Sequence, residues 1–232
     1  MRNIVFAGLV LIVAGFAIYK GIQAKDKPLR KLAYFGNFEI KHADDGSITD
    51  TIHATIPDFS FTDQQGNTVT QANFEGKIYV IDYFYSTCEG ICPKMTKQMD
   101  RVATHFKDDP EIKFISHTVN PEYDSVNVLA DYAAANNARY GQWYFVTGDK
   151  KELYKLAREN YMITASKGKG DEEDFIHSPN FVLIDKEKHI RGTYDGTVTE
   201  EINQLIHFLI CLFQQHIVKG QHEKAHSHRQ CG

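Results

Sequence analysis

Hydrophobic and polar positions divide the chain into four stretches. The first is an uncharged apolar run from Ile4 to Tyr19, with Arg2 before it and Lys20 after it. It reaches bilayer length if it extends to Ile22 and Lys20 snorkels. It precedes a basic flank without a small-x-small cleavage site, so residues 1–22 are expected to form an uncleaved transmembrane anchor, with a signal segment as the alternative. Residues 23–55 follow as a linker. Within it, Tyr34 to Phe38 and Ser47 to Ile56 read as extended segments that can pair through Asp44-Asp45-Gly46.

A folded domain is expected over residues 56–217. Phe59 to Asp63 alternates, Gln64 to Asn67 turns, and Thr68 to Thr70 returns, which makes a hairpin. The apolar run Ile78 to Phe84 reads as a buried strand. Cys92 to Phe106 has Met95, Met99 and Val102 at helical spacing, and these are read as core. Ile112 to Val119 is the next strand. A loop over Asn120 to Asp124 leads into a helix over Ser125 to Asn136, with Val126, Leu129 and Ala133 inward. Gln142 to Thr147 is a strand, and Lys150 to Tyr161 is a helix with Leu153, Leu156 and Ala157 on one face. A Gly- and charge-rich loop spans Lys167 to Asp174. Phe181 to Asp185 pairs with His189 to Thr193, and a last helix runs from Glu200 to about Ile217, with Glu200 and Glu201 in its first turn. The order predicts an α/β fold: a central mixed sheet flanked by helices, led by a β-hairpin. Residues 218–232 form a polar, His-rich tail.

Composition narrows the function. A formal net charge of -4 argues against nucleic-acid binding. Four cysteines in 232 residues are too few for a disulfide scaffold. Only Cys88 and Cys92 lie close together, and they fall where a strand gives way to a helix. There, free backbone N–H groups and the helix dipole favour a thiolate. If the helix begins near Glu89, the spacing i, i+4 puts both sulfurs on one face. Two such thiols can form a disulfide or hold a soft metal, and His177 is a candidate third ligand. Cys211 lies in the apolar run Leu205 to Phe213 and is read as core. His117 is read as structural. Asp124 is either the cap of the following helix or a site residue. His222, His226 and His228 are candidate accessory ligands for Cu(II), Zn(II) or Ni(II).

Several of these residues together resemble the SCO/SenC family of thioredoxin-like copper chaperones. They are Pro57-Asp58-Phe59, Asp63 with Gly66, Gly76-Lys77, Cys88-x-x-x-Cys92-Pro93, Val119 to Asp124, His177, Phe181 to Asp185, and Gly192. The resemblance covers roughly Ile56 to Gln215. It implies a thioredoxin-like fold, copper ligands at Cys88, Cys92 and His177, and Asp124 beside the site. It further implies binding of Cu(I), with Cu(II) as a second state. The copper would go to the cytochrome c oxidase subunit that carries the dinuclear copper centre. The domain would be anchored with its soluble part on the non-cytoplasmic face (periplasm or equivalent). The positive flank Lys20 to Lys31, taken alone, points the other way. The alternative is a membrane-anchored thiol–disulfide reductase that uses Cys88 and Cys92 as a redox pair. Pro179 stands where thioredoxin-like oxidoreductases place a proline beside their cysteines. The three intervening residues, in place of two, argue against that reading.

Overall fold

The computed structural model describes residues 33–43, 45–163 and 178–227, with side chains of the last helix described as far as Phe213. The expected anchor 1–22, the loop Lys167 to Asp174, His177 and His228 therefore lie outside the described residues. Among the described residues no helix is long and apolar enough to cross a membrane.

Among the described residues nine strands form two sheets. β1 (Phe38–His42) and β2 (Ile48–His53) make an antiparallel pair within the stretch read as a linker. The main sheet contains β3 (Ser60–Asp63), β4 (Thr68–Thr70), β5 (Ile78–Phe84), β6 (Ile112–Thr118), β7 (Trp143–Thr147), β8 (Asn180–Ile184) and β9 (Ile190–Asp195). Its order is β4-β3-β7-β6-β5-β8-β9, with β5, β6 and β7 parallel and the other pairs antiparallel, so the expected mixed sheet is present. Gly66 closes the β3–β4 hairpin at φ +80, a left-handed conformation that costs glycine little.

β5 sits inside the sheet and every one of its residues is buried, which explains why its pattern is apolar at every position but Asp82. Its side chains alternate between two cores. Ile78, Val80 and Phe84 face helices α1 (Cys92–His105), α2 (Val126–Ala135) and α4 (Thr199–Ser227). Tyr79, Ile81 and Tyr83 face the opposite layer, built from Ile56 to Phe74 and from α3 (Lys150–Lys155) with the turn that follows it. That turn, Leu156–Asn160, widens to i→i+5 bonding, with the Tyr161 N–H donating to the Leu156 carbonyl at 3.0 Å. The helix expected over Lys150 to Tyr161 is thus regular only in its first half. The last helix runs well past Ile217, so the polar tail is helical backbone as far as Ser227.

Among the ionisable groups buried in the sheet, Asp82 and His117 lie on opposite faces. Asp82 accepts a hydrogen bond from Ser116 Oγ at 2.5 Å, and Ser116 in turn accepts from Trp143 Nε1 at 2.9 Å. Burial pushes the Asp82 carboxyl up to about 7, against the opposing effect of the Ser116 bond. His117 stacks on Tyr83 at 4.9 Å between centroids, and burial drives its imidazole down to about 3. The signs oppose. Asp82 stabilises the fold fully below the ordinary carboxyl range and less as pH rises through about 7. His117 stabilises it above the ordinary imidazole value and less as pH falls towards about 3. Between roughly pH 4 and 6.5 the two slopes cancel. Asp82→Asn is expected to remove the falling limb, so that urea-unfolding stability rises from pH 4.5 to 8 in the variant and gains on wild type at pH 8. An equal offset at both pH values would overturn this assignment.

Candidate metal centre

β5 delivers the chain to a tight turn, with the Cys88 N–H donating to the Tyr85 carbonyl at 3.2 Å. Helix α1 then begins at Cys92, with Ile91 as its N-cap and Pro93 in the first turn, where a missing N–H is not needed. The helix does not begin near Glu89, because residues 85–91 are spent in this turn. Cys88 therefore precedes the helix rather than lying one turn along it. The turn folds it back all the same, so that the Cys88 and Cys92 side chains act on each other's acidity. Cys92 is buried and Cys88 partly exposed, and both are free thiols.

Their environments separate their acidities. Burial works against ionisation of Cys88, but bonds from the Cys92 side chain and backbone, the Tyr85 side chain and the Gly90 N–H outweigh it, and its thiol falls below the ordinary value. Burial, then the bond to Cys88, pushes Cys92 up to about 12, although the Tyr85 N–H opposes the rise. The Tyr85 phenol is itself pushed up to about 12, first by its bond to Cys88 and then by burial. Cys88 thus ionises first and Cys92 holds the shared proton.

Asp124 is fully buried and anchors the turn. It accepts hydrogen bonds from the Ser86 and Thr118 hydroxyls and, at 3.3 Å, from the Ser86 N–H. It does not cap α2, whose N-cap is Ser125. It therefore ties Ser86, two residues before Cys88, to the end of β6.

His177 lies outside the described residues, as do the side chains of His222 and His226. Ser178 is buried, and the Ser178–Pro179 bond is trans. Among the described residues no cluster of three or more metal-binding side chains occurs. Cys211 is not core. The buried stripe of α4 is Ile202, Leu205, Leu209 and Leu212, and Cys211 sits beside that stripe, half exposed. Sequence reading missed Tyr85, which looked like the last residue of an apolar strand. It also missed Asp82, although an acid inside a fully buried strand is itself a signal.

The donor set suits a soft, thiophilic ion: two adjacent sulfurs, one already inclined to ionise, at a helix N-terminus. Comparison with known proteins agrees. The SCO1/SenC family model matches residues 49–209. A SCO1 protein homolog of Bacillus subtilis is 27% identical over 68% of this chain and 83% of its own length. Matches to mitochondrial SCO2 homologs of mouse, cattle and human span about half of those proteins. Among solved structures, BsSco, described as a Sco-family cytochrome c oxidase assembly protein with a disulfide switch, is 25% identical. It superposes with a TM-score of 0.59 over 69% of this chain and 94% of its own. Bradyrhizobium japonicum ScoI, solved with copper bound, shares the fold at 22% identity, a TM-score of 0.55, and 68% and 99% coverage.

Proposed function

The chain belongs to the SCO1/SenC family, and on that premise we propose that it carries copper in the assembly of cytochrome c oxidase. Cu(I) is the cargo, held by Cys88, Cys92 and His177. It passes to the oxidase subunit that carries the dinuclear copper centre. The observation that carries this reading is the pairing of Cys88 with Cys92 at the end of β5, supported by the direction of β8. β8 runs antiparallel to β5 with Ile81 opposite Val182 and Tyr79 opposite Ile184. The chain therefore enters β8 at the end of the sheet where the cysteines stand. Ser178 is already buried there, one residue after His177.

Loading requires both thiols to lose their protons, easily at Cys88 and at a cost at Cys92, so Cu(I) binding releases protons and weakens in acid. Oxidation of the pair to a disulfide removes both sulfur ligands and blocks loading. A site with one ligand outside the cysteine turn can open stepwise for release. We further propose that residues 1–22 anchor the chain, that the domain of residues 56–217 faces the non-cytoplasmic side, and that His222, His226 and His228 collect metal.

A second reading rests on the contrast between the two thiols. A reductase needs one ionised nucleophile and one protonated partner. The Cys88 thiolate would attack a partner disulfide and release one partner thiol. Cys92, on losing its proton, would then displace the second and leave a Cys88–Cys92 disulfide. Anaerobic Cu(I) titration of the reduced protein against a competing chelator separates the two. One-to-one binding that weakens at least ~10-fold in His177→Ala is expected for the copper carrier. Unchanged affinity in that variant, with ready cycling of the disulfide, would select the reductase.

A further inference from the structure

Away from the cysteine turn, α4 carries a second pair of metal-binding side chains. His207 Nε2 and Cys211 Sγ stand 3.6 Å apart on its surface, one helical turn from each other. His207 is exposed and Cys211 half exposed, so an ion can reach both from solvent.

We propose that His207 and Cys211 chelate a tetrahedral, borderline-soft divalent cation of the zinc class. The spacing of the two donors selects that geometry. With a metal–sulfur bond of ~2.3 Å and a metal–nitrogen bond of ~2.0 Å at the tetrahedral angle, the donors lie about 3.5 Å apart. The same bonds placed in line, as a two-coordinate ion would have them, put the donors about 4.3 Å apart. The observed 3.6 Å is close to the tetrahedral bite. Helix α4 holds the pair rigidly, because Leu205, Leu209 and Leu212 on its inner face are fully buried.

The chemistry balances simply. Without metal, the sulfur and the imidazole nitrogen lie within hydrogen-bond distance at 3.6 Å. On binding, the thiol proton leaves to solvent, the sulfur becomes a thiolate ligand, and the imidazole nitrogen turns its lone pair to the ion. Water completes the two remaining positions, which makes the site exchangeable rather than structural. Positions 222 and 226 repeat the same spacing further along this helix, so the test must separate them.

The full-length protein with Cys88 and Cys92 changed to serine is treated with iodoacetamide with and without zinc, and alkylation of Cys211 is followed by peptide mass spectrometry. Zinc is expected to slow alkylation of Cys211 by ~10-fold or more, because a metal-bound thiolate is a poor nucleophile. In His207→Ala the protection should disappear, whereas in His222→Ala/His226→Ala it should remain. Cobalt(II) in place of zinc should give a sulfur-to-metal charge-transfer band that is absent from Cys211→Ser. Cys211 alkylation indifferent to zinc, or protection undiminished in His207→Ala, overturns the proposal. Because the copper ligands are removed from this protein, the result stands apart from the copper reading.

Discussion

Serine at Cys92 is expected to lower Cu(I) affinity by more than about 100-fold, since a hydroxyl is a hard and feeble donor to a soft ion. The same change at Cys88 should be as severe for copper but milder for the fold. Cys88 is partly exposed, whereas Cys92 is packed among Phe84, Met95 and Phe181 in the helix-side core. Burying a hydroxyl there without a full set of partners costs about 1–3 kcal/mol. Competition titration with a Cu(I) chelator, together with urea unfolding, reads both effects in one preparation. Near-wild-type affinity in Cys92→Ser would remove the buried sulfur from the ligand set. The protein would then hold copper, if at all, through Cys88 and donors elsewhere.

Truncating Asp124 to alanine should cost about 3 kcal/mol of folding stability. The carboxylate gathers the Ser86 hydroxyl, the Ser86 N–H and the Thr118 hydroxyl in a place without solvent. Its removal strands those donors around a small void. Ser86 lies within the turn that presents Cys88, so the effect should not stop at stability. Alkylation of Cys88 should change in rate because the hydrogen bonds around its sulfur lose their fixed geometry. Asp124→Asn keeps acceptor capacity at one oxygen and should recover part of the loss. A cost below about 1 kcal/mol would mean that water replaces the carboxylate, and that Asp124 is not what holds the turn.

The architecture was legible where burial is complete or strictly periodic. β5, apart from Asp82, and β8 from Phe181 onward are apolar because both faces of the sheet are covered. In α1, Met95, Met99 and Val102 recur at helical spacing because one side meets the sheet. Legibility failed where local geometry, not periodicity, decides. The start of α1 depends on how residues 85–91 turn, and glutamate at 89 gives no sign of it. Cys211 lies in a run of apolar letters, yet it falls one position off the buried stripe. The span read as a linker holds the hairpin expected there, but that the chain just before it is tied to the domain edge was not legible. There Phe35 bridges Ile190, and Arg191 donates to the Ala33 carbonyl at 3.1 Å and lies 4.2 Å from the Tyr34 ring centre. Of the candidate ligands, the cysteine pair was visible from spacing alone. The difference between the two sulfurs was not, because it arises from Tyr85 and from unequal burial.

The antiparallel pairing of β8 with β5 also bears on the order of events during synthesis. The turn that bears both cysteines leaves the ribosome early, but the strand that follows His177 emerges much later. Closing that long loop is entropically slow, and it must precede any contribution from the far side of the sheet. Until β8 docks, the nascent chain exposes two neighbouring thiols, and oxidants can reach them. On the proposed three-donor site, copper would be acquired late in the life of the chain. Cells that make this protein need either a reducing setting or rapid completion of the sheet to avoid a premature disulfide.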